Sequence, residues 1–508
     1  VPVPLNIRDF LDRAEAGFAA RIAAVDEPVQ PAPPWGELTY GAFAAAARGL
    51  AARLDDLGVE RGARVAFLSQ NSARLLAAFF GVSGWGRVLV PVNYRLARPE
   101  IEQILDHSGA QVLFTDPSCA ELVQNTGVPH RFVLGADDDF RQPGREPAEW
   151  AEADELAPAT LNYTSGTTGA PKGVVLSHRS LWLNAATFGL HTGLSDRDVY
   201  LHTLPMFHVN GWGMPYAVTA AGAKHVVLRQ VDGAEILRRI EQHGVTLLCA
   251  APTVVESVLA AAETWPGEIP GRGRVRVVVA GAPPRTGTVE RVETVLGWEL
   301  IQIFGQTETS PLITVTRTRA EWDPLTPRER AQRLRRAGVP ALGVKVRISP
   351  AGEVLTRSNH NLTGYWRNEQ ATAESGAATW VRTGDVGHVD PDGHLVITDR
   401  KKDIVISGGE NVASVEVEDV LTAHPAVHEA AVIGTPDEKW GELVTALVVP
   451  GDPAPAEADL IEHCRAHLAG YKCPKRVVFV DRLVRTATGK LQKNVLRDKY
   501  AAGSSGAR

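Results

Sequence analysis

The sequence predicts an α/β protein: a large N-terminal domain of parallel-rich sheets flanked by helices, then a small α+β C-terminal domain. Three observations predict it. Short apolar runs alternate with helical segments over residues 38–116, the same rhythm returns over 199–279, and after Asp399 the pattern changes to a compact α+β unit. A chain of 508 residues also exceeds what one core organises, so about two to four domains or subdomains are expected.

The elements follow in order. Residues 40–57 carry an Ala-rich, Leu-bearing face and predict a helix. The apolar run RVAFLS (64–69) predicts a strand, 73–84 a helix, VLVPV (88–92) a strand, 99–107 a helix and QVLFTD (111–116) a strand. Strands separated by helices require crossover connections, hence a parallel sheet covered on both faces, with ligands at the carboxyl ends of the strands. Further strands are expected at 224–228, 245–249 and 274–279. The segment 135–158, rich in Asp, Glu, Pro and Ala, predicts a surface excursion. The strongly charged 320–336 predicts an exposed helix with no catalytic role. The charged stretch DRKKD (399–403) marks a hinge between an N-terminal domain, 1–398, and a C-terminal domain, 404–508. In the latter, helices are expected at 415–421 and 456–468 and strands at 427–433 and 443–449, with a small, polar, fraying end at 501–508.

Hydrophobic content of 44% with 22% charged residues fits a soluble globular chain. A net charge of −6 without a Lys/Arg run argues against nucleic acid and anionic membrane as partners. No apolar run reaches the roughly 20 residues of an integral membrane segment. The first residues lack the basic-then-apolar pattern of a secretion signal. Cys119, Cys249, Cys464 and Cys473 form no CxxC pair and no zinc-type cluster, so they are expected to be reduced and buried. Together these predict a cytoplasmic protein; a homodimer is compatible with the sequence but not specified by it.

The chemistry is concentrated first in YTSGTTGAPKG (163–173). Gly166 and Gly169 let the backbone approach a ligand closely, and successive N–H groups in such a turn form an anion-binding concavity. The hydroxyls of Thr164, Ser165, Thr167 and Thr168 add donors, and Lys172 adds a positive charge for a phosphate oxygen. Residues 159–162 predict a strand end before the loop, and 178–186 a helix after it. The GxxxxGK[ST] pattern is absent, so this is a different phosphate loop.

This string resembles the signature of the adenylate-forming superfamily of acyl-CoA synthetases, carrier-protein-loading adenylation domains and luciferases. Similarity of this type runs from about residue 30 to 500, and it implies a large N-terminal domain and a small, mobile C-terminal domain. VAGAP (279–283) resembles the family's adenine-side loop, with Gly281, Ala282 and Pro283 against the base and Ala280 where the family often has glycine. QIFGQTE (302–308) is similar to the aromatic-Gly-x-Thr-Glu motif. Phe304 and Gly305 then belong to the nucleotide site, with Phe304 in place of the usual tyrosine. Thr307 lies on a phosphate oxygen, and Glu308 is a ligand for Mg²⁺, which prefers oxygen donors. WVRTGD (380–385) resembles the Thr-Gly-Asp motif, so Asp385 accepts from the ribose hydroxyls, with Arg400 nearby and Lys402 as the hinge pivot. TATGK (486–490) resembles the last motif, which makes Lys490 the catalytic lysine of acid activation.

PMFHVNGWG (205–213) is apolar and aromatic. By resemblance it lies where acyl tunnel and thiol entrance meet, with His208 as a catalytic or gating residue and Asn210 and Trp212 at the substrate pocket. SGGEN (407–411) looks like the turn that serves thioester formation, with Gly408 and Gly409 allowing the pantetheine arm to approach. Ala413-Ser414 stands where the family usually has an aromatic-Pro pair. The resemblance implies ATP, Mg²⁺ and coenzyme A acting on a small-molecule carboxylic acid, fatty or aryl. The alternative is a related adenylating enzyme with another acceptor: a carrier protein, an amine or an inorganic nucleophile.

Overall fold

The computed structural model describes residues 3–137, 140, 145–150, 153–164, 171–485 and 491–501. The chain divides into two compact units. One comprises Val1–Val346 and Thr356–Val381, the other Arg347–Leu355 and Arg382–Arg508.

In the first unit the predicted alternation appears with only small boundary shifts. Helix Tyr40–Asp56 starts where the Thr39 side chain accepts from the Ala42 N–H, and helix Ala73–Gly81 where Ser72 accepts from Leu75. Helix Ala73–Gly81 is buried on every side, which explains its almost wholly apolar sequence; its one charged residue, Arg74, donates to the Pro33 carbonyl at 2.8 Å. Arg64–Leu68 pairs in parallel with both Val88–Val92 and Ala110–Thr115. These strands belong to a seven-stranded sheet that runs Gly364–Tyr365, Lys172–Ser177, Pro158–Thr164, Val88–Val92, Arg64–Leu68, Ala110–Thr115, His130–Val133.

The second sheet of this unit has nine strands: Val339–Pro340, Leu312–Thr316, Glu299–Gly305, Arg276–Val279, Leu247–Ala250, Val199–His202, Lys224–Val227, Ile22–Val25 and Glu37–Thr39. Five consecutive members, from Glu299–Gly305 through Lys224–Val227, are parallel neighbours. Their carboxyl ends therefore lie along one edge. Two buried ion pairs, both at 2.8 Å, brace this unit: Arg229–Asp116 joins residues that follow strands of the two sheets, and Arg239–Glu27 ties helix Gly233–His243 to the end of Ile22–Val25.

One expectation needs correction here. Residues 320–336 do not form one exposed helix. They form a short turn, Ala320–Trp322, and helix Pro327–Leu334, with Trp322, Ala331 and Leu334 buried in an apolar cluster. The charges occupy the outer face, and three apolar residues on the other face sufficed to dock it. The helix expected at 178–186 is present, and between it and the phosphate loop the structure adds a strand. Strand Lys172–Ser177 comes first, antiparallel to Pro158–Thr164, and helix His178–Thr192 follows.

The second unit contains a four-stranded sheet in the order Lys345–Ile348, Glu353–Arg357, Val381–Val389, Leu395–Arg400, and a five-stranded sheet built on the long antiparallel pair Val427–Asp437 and Gly441–Pro450. Helices Ser414–Thr422, Glu457–His467 and Lys493–Ala501 accompany the latter. The packed unit takes in residues 382–398, ahead of 399–403, because Val381–Val389 pairs with Leu395–Arg400. No helix among the described residues is long and apolar enough to cross a membrane.

Candidate active site

Three of the sequence motifs leave the same edge of the nine-stranded sheet. Val199–His202 runs into 205–213, Arg276–Val279 into 281–283, and Glu299–Gly305 into Thr307–Thr309. The last two strands are direct parallel neighbours, with Val279 opposite Gln302. Gly281, Ala282 and Pro283 are exposed there, and Gly281 has φ +95°. Phe304 is half-buried opposite Thr314. Gly305 is required by packing: a Cβ on it would stand 1.6 Å from the Pro311 carbonyl oxygen. The motif's glycine thus lets the chain double back and present Thr307 and Glu308.

The phosphate loop connects two strands of a hairpin in which Thr164 sits opposite Lys172. Ser165, Gly166, Thr167, Thr168 and Gly169 lie outside the described residues, as does Lys490. Tyr163, which opens the motif, is fixed by a 2.8 Å hydrogen bond between its hydroxyl and His107 Nδ1. Burial raises the Tyr163 phenol above its ordinary range and lowers His107, so a neutral pair is favoured.

Lys172 and Glu308 meet through a residue that no sequence motif singles out. Tyr365 Oη donates to Glu308 Oε1 at 2.8 Å, and the Lys172 ammonium stands 5.5 Å from the centre of the same ring. Among the described residues Glu308 Oε2 accepts no hydrogen bond. Burial and the adjacent carboxylate raise the Tyr365 phenol, so it remains a donor. The available signal was two adjacent aromatic residues, Tyr365-Trp366, in an otherwise polar stretch.

Segment 205–213 has an unusual backbone. Val209, Asn210, Gly211, Trp212 and Gly213 all have positive φ, between +48° and +80°. For a β-branched residue such as Val209 this is a genuine outlier, and strain of this kind persists only where surroundings impose it. Buried polar groups impose it here. Thr160 Oγ1 donates to Asn162 Oδ1 (2.9 Å), Asn162 Nδ2 to Asn210 Oδ1 (3.0 Å), and Asn210 Nδ2 to Thr160 Oγ1 (3.0 Å). In this closed ring each member donates once and accepts once. The Asn210 amide, expected at the substrate pocket, is fully buried and ties the left-handed turn to the strand that feeds the phosphate loop. Trp212 is buried at 6% exposure, and its carbonyl accepts from Asn184 Nδ2. His208 is half-buried just before the turn, its carbonyl accepting from the Gly211 N–H at 3.0 Å. Asn210→Ala is expected to cost about 2 kcal/mol, because it strands the Asn162 donor in the interior. A chemical-denaturation series that found a loss of under about 0.5 kcal/mol, the lower bound for one hydrogen bond, would deny the ring its holding role.

In the second unit, Asp385 and Arg400 are cross-strand partners, and the guanidinium Nε lies 3.8 Å from Asp385 Oδ1. The two residues that the sequence reading assigns to the ribose are thus neighbours across one antiparallel hairpin. Lys402 is exposed in the following turn. Gly408 and Gly409 form the two-residue connection between Val405–Ser407 and Glu410–Val412, with φ +62° and +84°. Two successive positive φ values at a hairpin are readily met by glycine. The Gly408 N–H donates to the Trp440 carbonyl at 2.7 Å, and a Cβ on Gly408 would stand 2.9 Å from the Trp440 ring. Ser414 N and Oγ both donate to Asp399 Oδ2 at 2.5 Å, and Lys493 Nζ donates to Ser414 Oγ at 2.6 Å.

Comparison with known proteins matches residues 11–366 to the AMP-binding enzyme family and residues 416–490 to the AMP-binding enzyme C-terminal domain. The chain is 36% identical to 2-methylpropanoate–CoA ligase of Humulus lupulus, over 97% of this chain and 95% of the relative. It is 35% identical to 4-hydroxybutyrate–CoA ligase 2 of Metallosphaera sedula, over 97% and 94%. Among solved structures it resembles an anthranilate CoA ligase in complex with anthranoyl-AMP, with a TM-score of 0.88 at 27% identity, over 100% of this chain and 99% of that one.

Proposed function

The chain belongs to the AMP-binding enzymes, and on that premise we propose how its residues divide the reaction. As an AMP-forming acyl-CoA synthetase it activates a carboxylic acid with ATP and passes the acyl group to coenzyme A. In the first step a carboxylate oxygen bonds to the α-phosphorus, the bond to the bridging oxygen breaks, and pyrophosphate leaves. In the second the thiol sulfur bonds to the acyl carbon, the bond to AMP breaks, and the thiol proton is released.

The loop at 163–173 holds the leaving pyrophosphate through its N–H groups, the Thr164, Ser165, Thr167 and Thr168 hydroxyls and Lys172. Glu308, beside Thr307, would hold Mg²⁺, which would neutralise charge between phosphate oxygens. Asp385 accepts from the ribose hydroxyls, and Lys490 bridges the acyl carboxylate and the α-phosphate. Gly408 and Gly409 serve the second step at the pantetheine arm, with Lys402 as the pivot between steps and His208 at the junction of acyl and thiol paths. The observation that carries this reading is the link from Lys172 through Tyr365 to Glu308, which joins the phosphate loop's cation to the proposed metal ligand.

The acid is fatty or aryl. The apolar surroundings of Trp212 and the small acids named for the relatives support a compact one. Four free, buried cysteines support a reducing, cytoplasmic setting. The test is a panel of carboxylic acids read by pyrophosphate release, with and without coenzyme A. Acid-dependent release with accumulation of acyl-CoA is expected. Release with no thioester would redirect the second step to another acceptor.

A further inference from the structure

Residues 362–366 form a strap across two motifs that are far apart in sequence. The Leu362 N–H donates to the Glu308 carbonyl at 2.8 Å. Thr363 N donates to Val175 O at 3.1 Å, and Trp366 N to Gly173 O at 2.8 Å. Gly364 and Tyr365 pair with Val175 and Val174, on the strand that leaves the phosphate loop. The strap is itself pinned, with Trp366 Nε1 donating to the His107 carbonyl at 3.2 Å and Tyr365 N to Thr372 Oγ1 at 2.8 Å. From this fixed backbone the Tyr365 side chain reaches Glu308 with its hydroxyl and Lys172 with its ring.

We propose that Tyr365 is a positioning residue for nucleotide activation, its hydroxyl orienting Glu308 and its ring setting the place of the Lys172 ammonium. The proposal rests on the reading of Glu308 as the Mg²⁺ ligand and Lys172 as a phosphate contact. The physical logic is that of a supporting shell: a carboxylate that binds a metal must be held, and the donor that holds it takes one oxygen and leaves the other. A cation over an aromatic face is similarly held against its own flexibility. The two halves of Tyr365 thus act on different parts of the ligand. The hydroxyl influences only metal-dependent binding, whereas the ring influences binding of the phosphates with or without metal.

The test uses the full-length protein and calorimetric binding of ATP, once with Mg²⁺ and once with chelator, so that no turnover is required. Tyr365→Phe removes the donor and keeps the ring. It is expected to weaken binding of Mg·ATP by about tenfold, the worth of one hydrogen bond to a charged group, and to leave metal-free ATP binding unchanged. Tyr365→Leu removes both and is expected to weaken metal-free binding as well. Glu308→Gln serves as the reference. If Glu308→Gln abolishes the metal-dependent gain while Tyr365→Phe preserves it, Tyr365 has no positioning role although Glu308 keeps its own. If Glu308→Gln also preserves the gain, the assignment of Glu308 falls and this proposal with it. Equal weakening by Tyr365→Phe with and without Mg²⁺, or loss of its cooperative thermal transition, would mean a merely structural tyrosine and overturn the proposal.

Discussion

Lys490→Ala is expected to slow acyl-AMP formation by about 10²–10³-fold, or roughly 3–4 kcal/mol, and to leave thioester formation from pre-made acyl-adenylate almost untouched. The asymmetry follows from charge. The first step brings a carboxylate onto a phosphate, two anions in one transition state, and a positioned ammonium that bridges both offsets their repulsion as the new bond forms. The second step brings a thiol to an acyl carbon that is already activated, and no second anion must be pressed against the phosphorus. Lys490 lies outside the described residues, so its role rests on the TATGK motif and this chemistry. The measurement pairs pyrophosphate release from ATP and acid with acyl-CoA formation from synthetic acyl-AMP. A Lys490→Ala chain that lost both steps equally would have lost something other than a bridge between carboxylate and α-phosphate.

The parts of this fold that could be read from the sequence are those whose signal is local. Strand Val88–Val92 has the expected bounds, and helix Tyr40–Asp56 and the strands Arg64–Leu68 and Ala110–Thr115 differ by one residue at one or both ends, because periodicity and turn residues within each segment define them. The turns at 281–283, 304–308 and 408–409 were legible for a similar reason, since glycine marks places where the backbone turns tightly or approaches other backbone. What could not be read depends on contacts distant in sequence. Tyr365 is separated from Glu308 by 57 positions, and only the strap's pairing with Lys172–Ser177 brings them together. The hydrogen-bonded ring of Thr160, Asn162 and Asn210 joins strand and turn 48 or more positions apart. Strand Lys172–Ser177 was hidden by the loop before it, whose glycines and threonines dominate the reading of that region. Helix Pro327–Leu334 was misread in the opposite sense, its many arginines concealing the few apolar residues that anchor it.

The departure at Ala413-Ser414 leads to the second large effect, in the C-terminal unit. Ser414 is fully buried, and Lys493, only 8% exposed, reaches both its hydroxyl and Glu418 Oε1, the latter at 2.7 Å. Glu418 also accepts from the Val432 N–H at 2.7 Å, and Asp399 accepts from Ser414. One ammonium thus serves two carboxylates, one directly and one through a hydroxyl, and it stands shortly after Lys490 at the head of the last helix. Lys493→Met keeps the length and removes the charge. It is expected to destabilise this unit by about 3–5 kcal/mol, since a buried carboxylate is left without its partner. The pH dependence identifies the cause. Burial already raises the Glu418 carboxyl above its ordinary value despite Lys493, and loss of the ammonium raises it further. Below the unfolded value, about 4.3 for a glutamate, both states are protonated and this extra penalty vanishes. As pH rises through the interval up to the folded value, the unfolded chain ionises first and stability is lost. The deficit of Lys493→Met relative to the parent should therefore be largest near neutral pH, about 7.5, and shrink toward about pH 5 in denaturant titrations of both proteins. A deficit of the same size at both pH values would show that Lys493 contributes packing rather than charge.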